Sequence, residues 1–140
     1  MEETATAYMA ALPGLHDPDS ALVGVYVGCM YREYLEVMAP QGDKLPPQAM
    51  VGNGDAFLVG RLSYTFGFSG PCISTDTACS SSLVAAHLAH TGLLNGESSF
   101  AVAAGTNVML KASTTAGICQ LQVCACRFMA WHLAAAVLPS

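Results

Sequence analysis

The stretch GPCISTDTACSSSLVAAHLAH, residues 70–90, decides how this chain is read. Gly70 and Pro71 break the chain, and CIST, residues 72–75, reads as a short strand. From about Ser80 to Leu94 the sequence reads as a helix, with Asn95-Gly96 as its stop signal. SSLVAAHLAHTGLL contains no Asp, Glu, Lys or Arg. A helix apolar nearly all round is predicted to lie in a protein interior. Cys79 stands at the junction, followed by Ser80, Ser81 and Ser82.

Two readings of Cys79 are open at this point. Cysteine is a small hydrophobe and is often simply buried. It is also a nucleophile, which attacks as the thiolate. A helix N-terminus favours an anion by ~0.3–1 kcal/mol, and by up to ~2 kcal/mol when partly buried. Burial opposes this, so full activation calls for a further donor or a histidine. The unpaired N–H groups of the first helical turn can also stabilise an oxyanion formed on a thioester carbonyl. A strand–turn–helix thiol therefore suits acyl transfer.

Outward from this junction the pattern is layered. ALVGVYVG, residues 21–28, is a continuous apolar run that fits a strand buried on both faces. YREYLEVM, residues 31–38, has helical spacing, and the Pro- and Gly-rich residues 39–54 read as a loop. Asn53 is placed to cap a helix over DAFLVGRLSYTF, residues 55–66. FAVAAGTNVML, residues 100–110, begins as another buried strand. The order predicts an α/β fold, a mixed β-sheet layered with α-helices, in one domain over residues 1–140.

Composition narrows the function classes. Only 11% of the 140 residues are charged, against roughly 25% in a typical domain. The net charge is −5 with only five Lys and Arg, which argues against nucleic-acid binding. Glu2 and Glu3 stand where a signal peptide needs positive charge. The tail VCACRFMAWHLAAAVLP is interrupted by Arg127 and His132, so no membrane span is expected and a cytoplasmic location is. The six cysteines, Cys29, Cys72, Cys79, Cys119, Cys124 and Cys126, form no C-x-x-C pair. Metal and disulfide frameworks are not expected, and most of the cysteines read as core residues.

DTACSSSL, Asp76 to Leu83, resembles the active-site signature of the β-ketoacyl synthases, most closely the ketosynthase domains of polyketide synthases and type I fatty acid synthases. GVYVG at 24–28, GNGDAFLVGRLSYTFGFSGP at 52–71 and AVAAGTNVML at 101–110 agree in order, so the resemblance covers about residues 20–122. It implies a thiolase-like fold, present in part. It implies that Cys79 accepts an acyl group from the phosphopantetheine of an acyl carrier protein, with no cofactor bound directly. Condensation with a malonyl thioester follows in the family. It further implies that Asp76, Thr77 and Ala78 shape the turn, that the Cys79 N–H is an oxyanion donor, and that Pro71–Thr75 pairs with its copy across a homodimer.

The two downstream histidine motifs of the family, H-G-T-G-T and G-H, do not occur in this chain, and residues 123–140 form a divergent tail. His87 and His90 read as packed polar residues rather than a metal site. The chain therefore reads as an internal piece of a ketosynthase. The alternative is a non-catalytic remnant that serves as a dimerisation or carrier-protein-binding module. A serine hydrolase is disfavoured, because GFSGP, residues 67–71, is not G-x-S-x-G.

Overall fold

The computed structural model describes residues 22–38, 47–121 and 134–139. The apolar run becomes strand β1, Val23–Arg32, whose residues from Val23 to Cys29 are all buried. The expected double burial therefore holds. Helix α1 follows at Tyr34–Met38, shorter than the reading of 31–38. Tyr31 stays in the strand because a register shift between Cys29 and Arg32 is bridged from the side: the Tyr31 N–H donates to Asn107 Oδ1 at 3.1 Å.

Part of the expected loop is helix α2, Pro47–Asn53. Its proline occupies the first helical position, where a missing N–H costs nothing and the fixed φ helps. Proline was thus a start signal rather than a breaker. Helix α3, Asp55–Phe66, is capped by the backbone of Gly54, not by Asn53. The Asn53 side chain donates instead to the Ala49 carbonyl, one turn back in α2.

Strand β2, Cys72–Thr75, helix α4, Ser81–Leu94, and strand β3, Phe100–Val108, match the sequence reading to within two residues. Helix α5 spans Ala112–Gln120 and strand β4 spans Ala134–Pro139. The tail thus supplies a strand antiparallel to β3. The sheet order is β2-β1-β3-β4, with β2 and β3 both parallel to β1. The sheet is mixed, as expected.

Both faces of the sheet are packed. Val25 and Val27 meet Val59 of α3 and Ala104 on one face. Tyr26 points the other way, among Ala85 and Ala89 of α4 and Ala101 and Ala103 of β3. Each fully buried side chain of this size contributes ~1.5–3 kcal/mol relative to exposure.

Helix α4 departs from expectation. Its buried face is Ser81, Ala85, Ala89 and Gly92, all small. Leu83 and Leu94 are 73% and 74% exposed on the other side. The helix is therefore not interior all round. It rests on the sheet through small residues, and the closest approach is at its first turn. A β-carbon on Gly28 would lie 2.6 Å from the Ser82 backbone nitrogen, and one on Gly105 would lie 2.6 Å from the Ser82 β-carbon. Gly28 and Gly105 face each other in register.

Two substitutions test this seat. Gly28→Ala should destabilise the chain by ~1–3 kcal/mol, because the colliding atoms are backbone and cannot rotate away. Gly60→Ala in α3 meets nothing within 4 Å and should stabilise by about 0.5–1 kcal/mol. Chemical denaturation of both variants checks the pair. Equal stability of the two would refute the close approach.

Candidate active site

Between β2 and α4 the chain makes a tight elbow over Asp76–Ser80. Ala78 has φ +57°, the one left-handed non-glycine residue among those described. That conformation costs a residue with a β-carbon roughly 1–2 kcal/mol. Local hydrogen bonds offset it, each contributing about 0.5–1.5 kcal/mol net. Asp76 Oδ1 accepts from the Ala78 N–H at 3.0 Å. Ser81 Oγ accepts from the Thr77 N–H at 2.9 Å and donates to the Ala78 carbonyl at 2.6 Å. Ser80 Oγ donates to the Thr77 carbonyl at 2.8 Å and lies 3.0 Å from Thr77 Oγ1.

The serines after Cys79 thus tie the elbow. Ser80 is the N-cap residue of α4, yet its hydroxyl makes no capping bond. Ser81 is buried and Ser80 is exposed. Neither hydroxyl is a candidate nucleophile, since both are engaged with the elbow backbone.

Cys79 sits immediately before this cap, and its side chain is exposed. Of the two readings of Cys79, the simply buried one does not hold. β2 is the edge strand of the sheet, and its Cys72 and Ile73 are exposed. The reading of the cysteines as mostly core holds only for Cys29 among those described; Cys72 and Cys79 are exposed and Cys119 is intermediate. Cys124 and Cys126 lie outside the described residues, as do His16 and His132. His87 and His90 are exposed rather than packed, because they lie on the uncovered face of α4.

Two cavities open where β1 and β3 end. One, of about 420 Å³, is lined by Met30, Tyr31, Glu33, Leu35, Asn53 and Thr114 among others. The second, of about 250 Å³, includes Cys29, Tyr34, Phe57, Leu58, Arg61 and Val108. Cys79 lines neither of these two. Among the described residues no group of His, Cys, Asp and Glu is arranged to hold a metal ion, and no helix is long and apolar enough to cross a membrane.

Glu33 was not singled out in the sequence. It is 4% exposed, and Oε2 accepts from the backbone N–H groups of Leu110 and Lys111 at 2.5 and 2.6 Å. It thereby fills the donor-rich start of α5. The Thr114 hydroxyl holds its carboxyl below the usual glutamate range, and the Lys111 and Leu110 N–H groups add to this against the opposing effect of burial. Lys111 also pairs with Glu36, a surface pair whose attraction raises the lysine's pKa.

The chain matches the β-ketoacyl synthase N-terminal domain over residues 4–128. It belongs to the β-ketoacyl synthase family. It is 41% identical over 107 residues to erythronolide synthase EryA2 of Saccharopolyspora erythraea, covering 74% of this chain and 3% of that one. It is 45% identical over 111 residues to the spectinabilin polyketide synthase protein NorA of Streptomyces orinoci, covering 74% and 6%. The oxazolomycin ketosynthase domain OzmH KS7 of Streptomyces albus JA3453 superposes with a TM-score of 0.61 at 32% identity, over 76% of this chain and 18% of that one. The ketosynthase from module 6 of the Bacillus subtilis 168 bacillaene synthase does so at 0.61 and 31%, again over 76% and 18%. The fold is thus the thiolase-like ketosynthase fold, in part. The family match runs further at each end than the motif-bearing residues 20–122.

Because the folded pKa of Glu33 is lowered from 4.5, its contribution to stability is complete above about that pH. It is lost as pH falls through the lower, folded value. Glu33→Gln should lower the thermal midpoint near neutrality and flatten its dependence on pH below 4.5. Thermal melts of both proteins across the acid range check this; parallel curves would refute it.

Proposed function

We propose that this chain is the nucleophile-bearing part of a polyketide-type ketosynthase, in which Cys79 accepts an acyl group from the phosphopantetheine thioester of an acyl carrier protein. The observation that carries the reading is the strained elbow: it presents an exposed thiol immediately before the cap of an uncharged helix. The relatives described above are polyketide synthases, which favours that pathway over fatty acid synthesis. No cofactor enters this step, since the acyl group arrives already activated as a thioester.

The step balances as an acyl exchange. The Cys79 thiolate adds to the thioester carbonyl, and we assign the Cys79 N–H as a donor to the resulting oxyanion, since the Ser80 and Ser81 N–H groups are taken by the Thr77 and Ala78 carbonyls. Collapse breaks the carbon–sulfur bond to pantetheine. The released pantetheine thiolate takes up the proton that Cys79 gave up. In the subsequent condensation, a malonyl thioester loses carbon dioxide and its enolate attacks the acyl–Cys79 thioester, which returns the Cys79 thiolate. The chain's own described residues support the first step. His87 and His90, exposed on α4, are not part of the elbow, so the decarboxylation has no assigned histidine among the described residues.

A second reading is favoured by the open edge of β2, with Cys72 and Ile73 exposed. Through this edge the chain would pair with a second copy, and a chain acting by that route alone would be a non-catalytic dimerisation or carrier-binding module.

Acetyl-pantetheine separates the two. The wild-type chain should gain one acetyl group on Cys79, read by peptide mass spectrometry, and Cys79→Ala should gain none. Low-dose iodoacetamide should label Cys79 ahead of Cys72, although both are exposed. Equal labelling and no acetyl adduct, with a dimer on light scattering, would replace acyl transfer with the dimerisation reading.

A further inference from the structure

We propose that Ser81 is a positioning residue for Cys79, its buried hydroxyl acting as a two-way latch on the elbow. The inference rests on the acyl-transfer reading for its consequence, but the latch itself is a matter of geometry. Ser81 Oγ takes a hydrogen bond from the residue before Ala78 and gives one to the carbonyl of Ala78 itself. One hydroxyl therefore holds the left-handed residue on both sides, and the next residue along is the nucleophile.

The neighbouring serines do not share this position. The Ser80 hydroxyl also bonds within the elbow, but it is exposed, so water can take its place. Ser81 is 5% exposed, so no water is at hand to replace it. The Ser81 carbonyl carbon and oxygen and the Ser82 nitrogen lie against Gly28, so the latch is anchored to the sheet. Removing the hydroxyl leaves the Thr77 N–H without its partner, while the Ala78 carbonyl keeps its bond from the Ser81 N–H at 3.0 Å. The left-handed Ala78 is then held by Asp76 and the Ser81 N–H alone, and its relaxation toward a right-handed conformation carries Cys79 away from the helix start.

The test compares wild type, Ser81→Ala, Ser80→Ala and the double variant Ala78→Gly/Ser81→Ala, each as the full chain. The probes are acetyl-pantetheine and iodoacetamide, both read at Cys79 by peptide mass spectrometry, with a thermal melt of every variant. Ser81→Ala should slow acetylation about ten- to a hundred-fold, as a misplaced reacting group does. Ser80→Ala should cost less. The double variant should recover much of the loss, because glycine holds a left-handed φ without a latch. A purely structural role would lower the melting midpoint and the acetylation rate together, with no recovery in the double variant; that result overturns the latch. Should the wild-type chain take no acetyl group, the acyl-transfer reading falls. The latch is then judged on iodoacetamide alone. The Cys79 alkylation rate should drop in Ser81→Ala and return in the double variant, since a displaced thiol leaves the positive end of the helix. An unchanged rate overturns the proposal.

Discussion

The first turn of α4 can sit on the sheet only because Gly28 and Gly105 face each other there without side chains. The elbow depends on this contact. With Ser81 and Ser82 seated on β1 and β3, the Ser81 hydroxyl comes within reach of Thr77 and Ala78, and the strain at Ala78 has a fixed support. A larger side chain on either glycine would lift the helix start and pull the hydroxyl from its partners. Strain at a functional residue persists only where its surroundings over-determine it. Here the surroundings are a sheet surface, two side-chain hydroxyls and the Asp76 carboxylate.

The same contact explains the unusual dress of α4. A helix that must approach a glycine- and alanine-rich strip of sheet selects small residues for its inner face, and Ser81, Ala85, Ala89 and Gly92 supply them. Leu88 and Leu93 flank this face, half-buried against the Tyr26 cluster, while Leu83 and Leu94 are open on the outer face together with His87 and His90. Size, as much as polarity, decides which residues meet the sheet. Hydropathy alone treats the two faces as equivalent, which is why the sequence reads as a helix interior all round.

Much of the fold was legible because its signals are local. The run Val23–Cys29 is continuous and apolar, and Gly70-Pro71 and Asn95-Gly96 punctuate β2 and α4 where the structure begins and ends them. The features missed depend on distant partners. Tyr31 remains in β1 through Asn107, 76 residues away, and Glu33 reaches Leu110 across 77. No window of sequence contains both ends of such a bond. The strand at Ala134–Pro139 likewise takes its conformation from pairing with β3. At the site, the motif pointed to Cys79, but its exposure follows from the edge position of β2, which is a property of strand order rather than of DTACSSSL.

Strand order also explains why the glycine falls at position 28. β2 and β3 are consecutive in the chain but lie on opposite sides of β1. The connection between them must therefore pass over β1, and α4 is that connection. In the parallel register Thr75, the last residue of β2, stands beside Gly28, and Gly28 in turn stands beside Gly105. The helix leaves β2 at this row and at once crosses its neighbour. The crossing point is thus set by where β2 stops, and a side chain at that point on β1 would obstruct the only path α4 has. The elbow, the facing glycines and the small inner face of α4 are then three consequences of one crossover. The thiol emerges at the C-terminal edge of the parallel strands, the edge at which open α/β sheets bind their ligands.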